Sequence, residues 1–237
     1  MKGYMVSSIS AVIVAGGKGE RMRTNIRKQY LVLGNLPVLS HTLAVFDLCP
    51  VIHRIYLVVP EPDRDFCAKE VVAPIEPQTP VHLVSGGAFR QASVYHGLCA
   101  IPDTDGVAVI HDGVRPFVSG GQIETVARSA LKYGACIFGI PAVDTLKQVD
   151  ADNYIARTVA RQTIRLAQTP QAFQYSIIKK AHDLAMSDGV IGTDDASLVE
   201  RLGIRVLVIP GSPRNIKITT PDDLLMAQAI YDAGIRE

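Results

Sequence analysis

Residues 15–22 read AGGKGERM and follow directly on the apolar run 9–14, ISAVIV. Glycines let backbone N–H groups face phosphate oxygens without a Cβ in the way. Two familiar phosphate loops fail on spacing. A dinucleotide fingerprint, G-x-G-x-x-G, needs a third glycine where Met22 stands, and a P-loop needs glycine at position 21, which is Arg21. Taken alone, Gly16, Gly17 and Gly19 also fit a plain strand-to-helix turn. Arg21 and Lys28 favour a polyphosphate. Arginine offers a planar donor fork and lysine a point charge, and nucleotidyl transfer is catalysed mostly by such positioning and charge stabilisation. Lys18, Arg23 and Arg27 read as solvated charges.

Three more groups of polar residues sit where the chain leaves an apolar run. In SGGAFRQASV, Gly86 and Gly87 permit close approach of a flat ring; Ser93 is open to two readings, a donor to a base edge or the cap of the next helix. In VIHDGVRPF, Asp112 can accept from a ribose hydroxyl or support a hydrated Mg²⁺, and Arg115 can pair with a phosphate or simply with Asp112. His111 reads as a satisfied histidine, because transfer onto a phosphate needs no general base. Lys217, on an expected short strand in RNIKITTPDDL, can hold a second substrate's charge. Asp194 and Asp195 resemble first-turn acids behind a Thr193 cap.

Holding these groups requires strands ending at one edge. Apolar runs at 9–15, 54–59, 81–84, 107–111, 136–140 and 205–209 alternate with helical patterns at 37–48, 63–72, 90–101, 121–133, 176–186 and 221–233. That alternation predicts an α/β fold: a doubly wound, mostly parallel sheet with helices on both faces. Ligands of such sheets bind at the carboxyl ends of the strands. Gly134 is placed as a helix stop, and Thr220-Pro221 as a helix start. Residues 144–168 break the alternation: two β-like runs flank Asp150-Ala151-Asp152-Asn153, predicting a β-arm that projects from a single domain spanning 1–237. A polar arm needs cover, and a second copy of the chain is the usual source.

Composition narrows the function classes. Lys+Arg 24 against Asp+Glu 23 argues against a nucleic-acid or membrane footprint. Cys49, Cys67, Cys99 and Cys136 form no CxxC pair and are expected as reduced thiols of a cytoplasmic protein. No apolar run reaches the ~20 residues of a membrane span. The stretch 5–15 is too interrupted by Ser7, Ser8 and Ser10 to read as a signal peptide.

In order along the chain, AGGKGERM, KQY, GGAFRQASV, HDGVRPF, AVDTLK, AQTPQAF, GTDDASLVE and NIKITTPDDL closely resemble the 2-C-methyl-D-erythritol 4-phosphate cytidylyltransferases of the non-mevalonate isoprenoid pathway. The resemblance runs from Ile9 to Ala233. It implies a nucleotidyltransferase that moves CMP from CTP onto methylerythritol phosphate and releases pyrophosphate, with Mg²⁺ carried mainly by the CTP phosphates. It implies a homodimer completed by the arm. It implies that Ala15, Gly16, Gly17 and Gly19 cradle the nucleotide, that Gly87 and Ser93 read cytosine, and that Asp112 serves the ribose and, indirectly, the metal. Arg21 and Lys28 are implied as the transition-state stabilisers. Arg161 and Lys217 are implied as clamps for the acceptor phosphate, assisted by Thr145 and Arg115, with Thr145 and Arg161 supplied by the partner's arm. Two positions depart from many relatives: Ala160 replaces an acidic residue, and Arg27 a proline. A ribitol-5-phosphate cytidylyltransferase shares the glycine loop and the QTPQ piece. A sugar-1-phosphate nucleotidyltransferase or a non-catalytic nucleotide-binding regulator accounts for fewer of these motifs.

Overall fold

The computed structural model describes residues 8–17, 26–102 and 106–234. The chain opens with β1 (Ile9–Val14), all six residues buried. A small hairpin follows, β2 (Val32–Leu33) and β3 (Leu36–Pro37), then α1 (Val38–Asp47) and β4 (Arg54–Val59). The helix expected at 63–72 is instead a broken run: a 3₁₀ turn Glu61–Asp63, α2 (Arg64–Cys67), a π turn Ala68–Val72 and a 3₁₀ turn Ala73–Ile75. Pro62 and Pro74 remove amide donors at both ends of that run, so no long α ladder forms. Beyond it come β5 (Val81–Ser85), α3 (Arg90–Cys99), β6 (Val107–Asp112), α4 (Gly120–Tyr133) and β7 (Ala135–Pro141). The hairpin β8 (Leu146–Val149) and β9 (Ile155–Val159) precedes β10 (Arg165–Gln174), α5 (Tyr175–Ser187), α6 (Asp195–Glu200), β11 (Leu207–Pro210) and α7 (Pro221–Asp232).

Seven strands form one sheet in the order β11-β7-β10-β6-β1-β4-β5. β1 runs parallel to β4 and β6, β4 to β5, and β7 to β11. Within this sheet, among the described residues, only β10 is antiparallel to its neighbours, β6 and β7. The doubly wound expectation holds, and its physical signature is alternation along β1. Ala11 and Ile13 pack with Leu39, Leu43 and Phe46 of α1 and Ile123 and Val126 of α4. Val12 and Val14 pack on the other face with Val94 and Leu98 of α3 and Ile178 of α5. Each fully buried Val, Leu, Ile or Phe among them contributes roughly 1.5–3 kcal/mol. Gly97 lets α3 lie against the sheet: a Cβ there would meet Val12 Cγ1 at 2.5 Å.

Ser119 and Thr220 each close a capping box, at the starts of α4 and α7, and Gly134 ends α4 at φ 88°. The arm's turn also forms as expected. Asp150 Oδ1 accepts from the amides of Asp152 and Tyr154, and Asn153 adopts φ 65°. Its far boundary moves, however. Residues 165–168 belong to β10 in the main sheet, not to the arm. Pro170 hides this strand from a pattern reading. It lies where the register shifts between Gln168 and Gln171, at a bulge that asks no ladder bond of it.

Candidate active site

The strands β1, β4, β5 and β6 all end at one edge, around a cleft of about 910 Å³. Ala15, Gly16 and Gly17 form its floor where β1 stops. Gln29 fixes this floor from below: it is buried, and its Nε2 donates to the Ala15 carbonyl at 2.6 Å. Gln29 belongs to the 3₁₀ turn Lys28–Tyr30, so the same turn places Lys28 at the cleft wall, where its Cε stands 3.8 Å from the point a Gly17 Cβ would occupy. Arg27, expected in solvent, also lines the cleft and pairs with Asp63 at 2.9 Å. Gly19 and Arg21 lie outside the described residues.

A second wall is Gly86 to Ser93. Ser93 does not cap α3; the residue before that helix is Phe89, and Ser93 sits a turn inside. Its hydroxyl donates to the Phe89 carbonyl at 3.2 Å and accepts the Gly87 amide at 3.1 Å. A hydroxyl oxygen has two lone pairs, so one acceptor site remains for an amino group of a base. Only glycine fits at 87: a Cβ would stand 2.4 Å from Ala92 Cβ.

The third wall centres on Asp112, the last residue of β6 and 6% exposed. Its Oδ1 meets Arg90 Nε at 2.9 Å; its Oδ2 meets Lys217 Nζ at 2.8 Å and Arg115 Nε at 3.6 Å. Burial alone would raise the Asp112 carboxyl, but Arg90, Lys217 and Arg115 outweigh it and hold it well below the usual carboxylate range. The Asp112–Arg115 pair therefore exists, buried rather than on the surface. Arg115 spends one nitrogen on the Asn215 carbonyl at 2.7 Å, and burial lowers its pKa. Lys217 lies on an extended segment outside any ladder, not on the expected strand; the neighbouring Ile218 amide bonds to the Val114 carbonyl.

His111 is a structural residue. It is wholly buried, and burial pushes its pKa down to about 3. Nε2 faces the Arg115 carbonyl, which only accepts, so Nε2 carries the proton and Nδ1 accepts from the Thr169 hydroxyl. The Thr169 oxygen in turn accepts the Asp112 amide.

Thr145 and Arg161 are not brought to this cleft. Both are exposed on the arm, and Arg161 donates to the Val143 carbonyl. Sequence reasoning missed Arg90, Gln29 and Asp195. It also placed the cap of α6 at Thr193, whereas Asp194 accepts the Ser197 amide. Asp195 is free of capping duty and pairs with Arg90 at 2.8 Å. Arg90 had a signal in its position, three residues past the glycine pair, but nothing local names its partners.

A profile of 2-C-methyl-D-erythritol 4-phosphate cytidylyltransferases matches residues 9–233. The enzyme of that name from Syntrophus aciditrophicus is 47% identical over 225 residues, covering 95% of this chain and 96% of its own. That from Bacillus pumilus is 45% identical, covering 94% and 96%. Among solved structures, a 4-diphosphocytidyl-2C-methyl-D-erythritol synthase from Anaerococcus prevotii superposes with TM-score 0.85 at 31% identity over 96% of this chain and 97% of its own. A 2-C-methyl-D-erythritol 4-phosphate cytidylyltransferase from Francisella tularensis gives 0.80 at 33%, covering 94% and 99%.

Proposed function

The chain belongs to the 2-C-methyl-D-erythritol 4-phosphate cytidylyltransferase family, and from that premise we propose how its cleft transfers CMP from CTP to 2-C-methyl-D-erythritol 4-phosphate. The observation that carries the reading is the convergence of the glycine floor, Lys28, Gly87, Ser93 and Lys217 around Asp112. CTP lies with its base against Gly87 and Ser93 and its phosphates over residues 15–17. The acceptor's phosphate oxygen attacks the α-phosphorus in line. As that bond forms, the bond from the α-phosphorus to the bridging oxygen breaks, and its electron pair leaves with pyrophosphate. The attacking oxygen is already an anion, so no base is required. The barrier lies in bringing two anions together. Lys28, together with Arg21, offsets that repulsion where charge builds up, and Lys217 holds the incoming phosphate.

The residues do not fit a protein-built magnesium site. Among the described residues no group of three or more His, Cys, Asp or Glu gathers in metal-binding reach, and both Asp112 oxygens face cations. A divalent ion would be carried on the oxygens of the triphosphate, where it would neutralise their charge.

The remaining acceptor contacts come from a second copy. Arg161 and Thr145 sit on an arm whose exposed Val143, Tyr154 and Ile155 ask for cover. A homodimer that exchanges arms satisfies both needs. We place the enzyme in the cytoplasm, with its four cysteines reduced; among the described residues no helix is long and apolar enough to cross a membrane. The deciding experiment measures pyrophosphate release with CTP or UTP against methylerythritol phosphate and ribitol 5-phosphate. Turnover is expected chiefly with CTP and methylerythritol phosphate; preference for ribitol phosphate would transfer the chain's activity to that acceptor.

A further inference from the structure

Arg90 stands between two carboxylates that belong to different parts of the fold. Its Nε reaches Asp112 at the end of β6, and its Nη1 reaches Asp195 at the start of α6. Asp195 is 1% exposed. Burial would raise its pKa, yet Arg90 and His182 outweigh burial and keep it below the usual carboxylate range. His182, also fully buried, approaches the far Asp195 oxygen with Nε2 at 3.2 Å. The segment carrying Asp195 is itself fixed. Gln171 of β10 donates to Asp194 and accepts the Ala196 amide, and Gln91, next to Arg90, bonds to Val190 and Gly192.

We infer that Arg90 is a positioning residue for the transfer reaction: anchored from behind by the buried Asp195–His182 pair, it holds Asp112 by Oδ1 so that only Oδ2 is presented to Lys217. The inference rests on the functional reading above. The physical argument is one of charge sharing. A single Asp112 charge is divided among Arg90, Lys217 and Arg115, so these four groups carry a net positive charge toward the cleft. Without the Arg90 fork, Asp112 turns both oxygens to Lys217 and Arg115. Lys217 is then drawn in and more fully neutralised, and the acceptor phosphate loses its clamp. A lysine at 90 cannot replace the fork, because one ammonium on a flexible stem lacks the rigid donors that face two carboxylates at once. The same residue also begins the helix behind Gly87, so it ties the base-reading wall to the phosphate-holding wall.

The test is a double-mutant cycle on the full-length enzyme, read as kcat and KM for each substrate in pyrophosphate release. Asp195→Asn keeps shape and removes the rear anchor. It is expected to raise the KM for methylerythritol phosphate about tenfold, with a much smaller change for CTP. Lys217→Ala is expected to raise the same constant, and the double variant to be no worse than Lys217→Ala alone. Arg90→Lys, the second route if Asp195→Asn misfolds, is expected to repeat this pattern. Normal constants for Asp195→Asn, or effects that simply multiply in the double variant, overturn the inference while leaving the function standing. A folded wild-type chain that releases no pyrophosphate with any pairing overturns both.

Discussion

Asp112 is buried and grips three cations that come from α3, the loop after β6 and the segment before α7. Arg161 is exposed, and it donates to the carbonyl of Val143, just before the arm. In the cleft, buried side chains hold the backbone: the Ser93 hydroxyl accepts the Gly87 amide, Gln29 donates to the Ala15 carbonyl, and Thr169 holds the His111 ring and the Asp112 amide. In the arm, Lys147 meets Thr158 and Arg157 meets Gln148, all at the surface. Surface pairs of this kind contribute little. The cleft is thus organised by one chain, whereas the arm is shaped but not covered. The contrast teaches that self-sufficiency is local: on the proposed reading, the described nucleotide-facing residues are held by one chain, and the remaining acceptor contacts are left to a second copy.

The strongest challenge to that division is Lys28→Ala. It is expected to lower kcat about 10²-fold or more, the usual scale for one charge-stabilising donor, with unchanged circular dichroism. Near-normal turnover would remove Lys28 from its role. Next, Arg161→Ala is expected to raise the KM for methylerythritol phosphate about tenfold while sparing CTP. Mixing this variant with Lys28→Ala sharpens the comparison. If arms are exchanged, half the dimers formed by random reassortment carry one intact site, and with methylerythritol phosphate well below its KM the mixture recovers about a quarter of wild-type activity. No recovery after verified subunit exchange would mean that the arm serves its own chain.

A smaller effect is expected from Ser93→Ala, which frees the Gly87 amide. The KM for CTP should rise three- to tenfold, about the value of one buried hydrogen bond, and the acceptor's constant should not follow it. The smallest concerns stability alone. His111 stays neutral in the fold down to about pH 3 but gains a proton below about pH 6.5 once unfolded. Its contribution is therefore whole above that pH and is lost as pH falls toward 3, by up to ~1.4 kcal/mol per unit. Melting temperatures taken from pH 7.5 to 5.5 should fall, and fall less steeply in His111→Gln. Equal slopes would trace the loss to another group.

Much of this was legible in the residues. Buried runs such as VIVA and YLVV can hardly be anything but interior strands, and Ser119, Thr220 and Gly134 punctuate helices by local chemistry that needs no tertiary context. The glycine floor, Gly87 and Asp112 could be picked out by their place where apolar runs end, Ser93 by following the glycine pair, and Lys28 and Lys217 by the cations a phosphate site calls for. Pairing across the fold was not legible. Nothing near Arg90 announces Asp195, and a proline inside β10 argues locally against the strand it occupies. Asp195 read as a helix-start acid because its neighbour Asp194 does that work, and adjacent identical residues conceal a division of labour.

β10 has a mechanical corollary. It is the antiparallel strand wedged between β7 and β6, and its leading end continues directly from the arm. Close behind that end, Gln168 grips Ser212 and Asn215, and Thr169 touches both the imidazole of His111 and the amide of Asp112. Were the proposed arm exchange to put the hairpin under tension, only these few residues would separate the pull from the carboxylate where the cations meet.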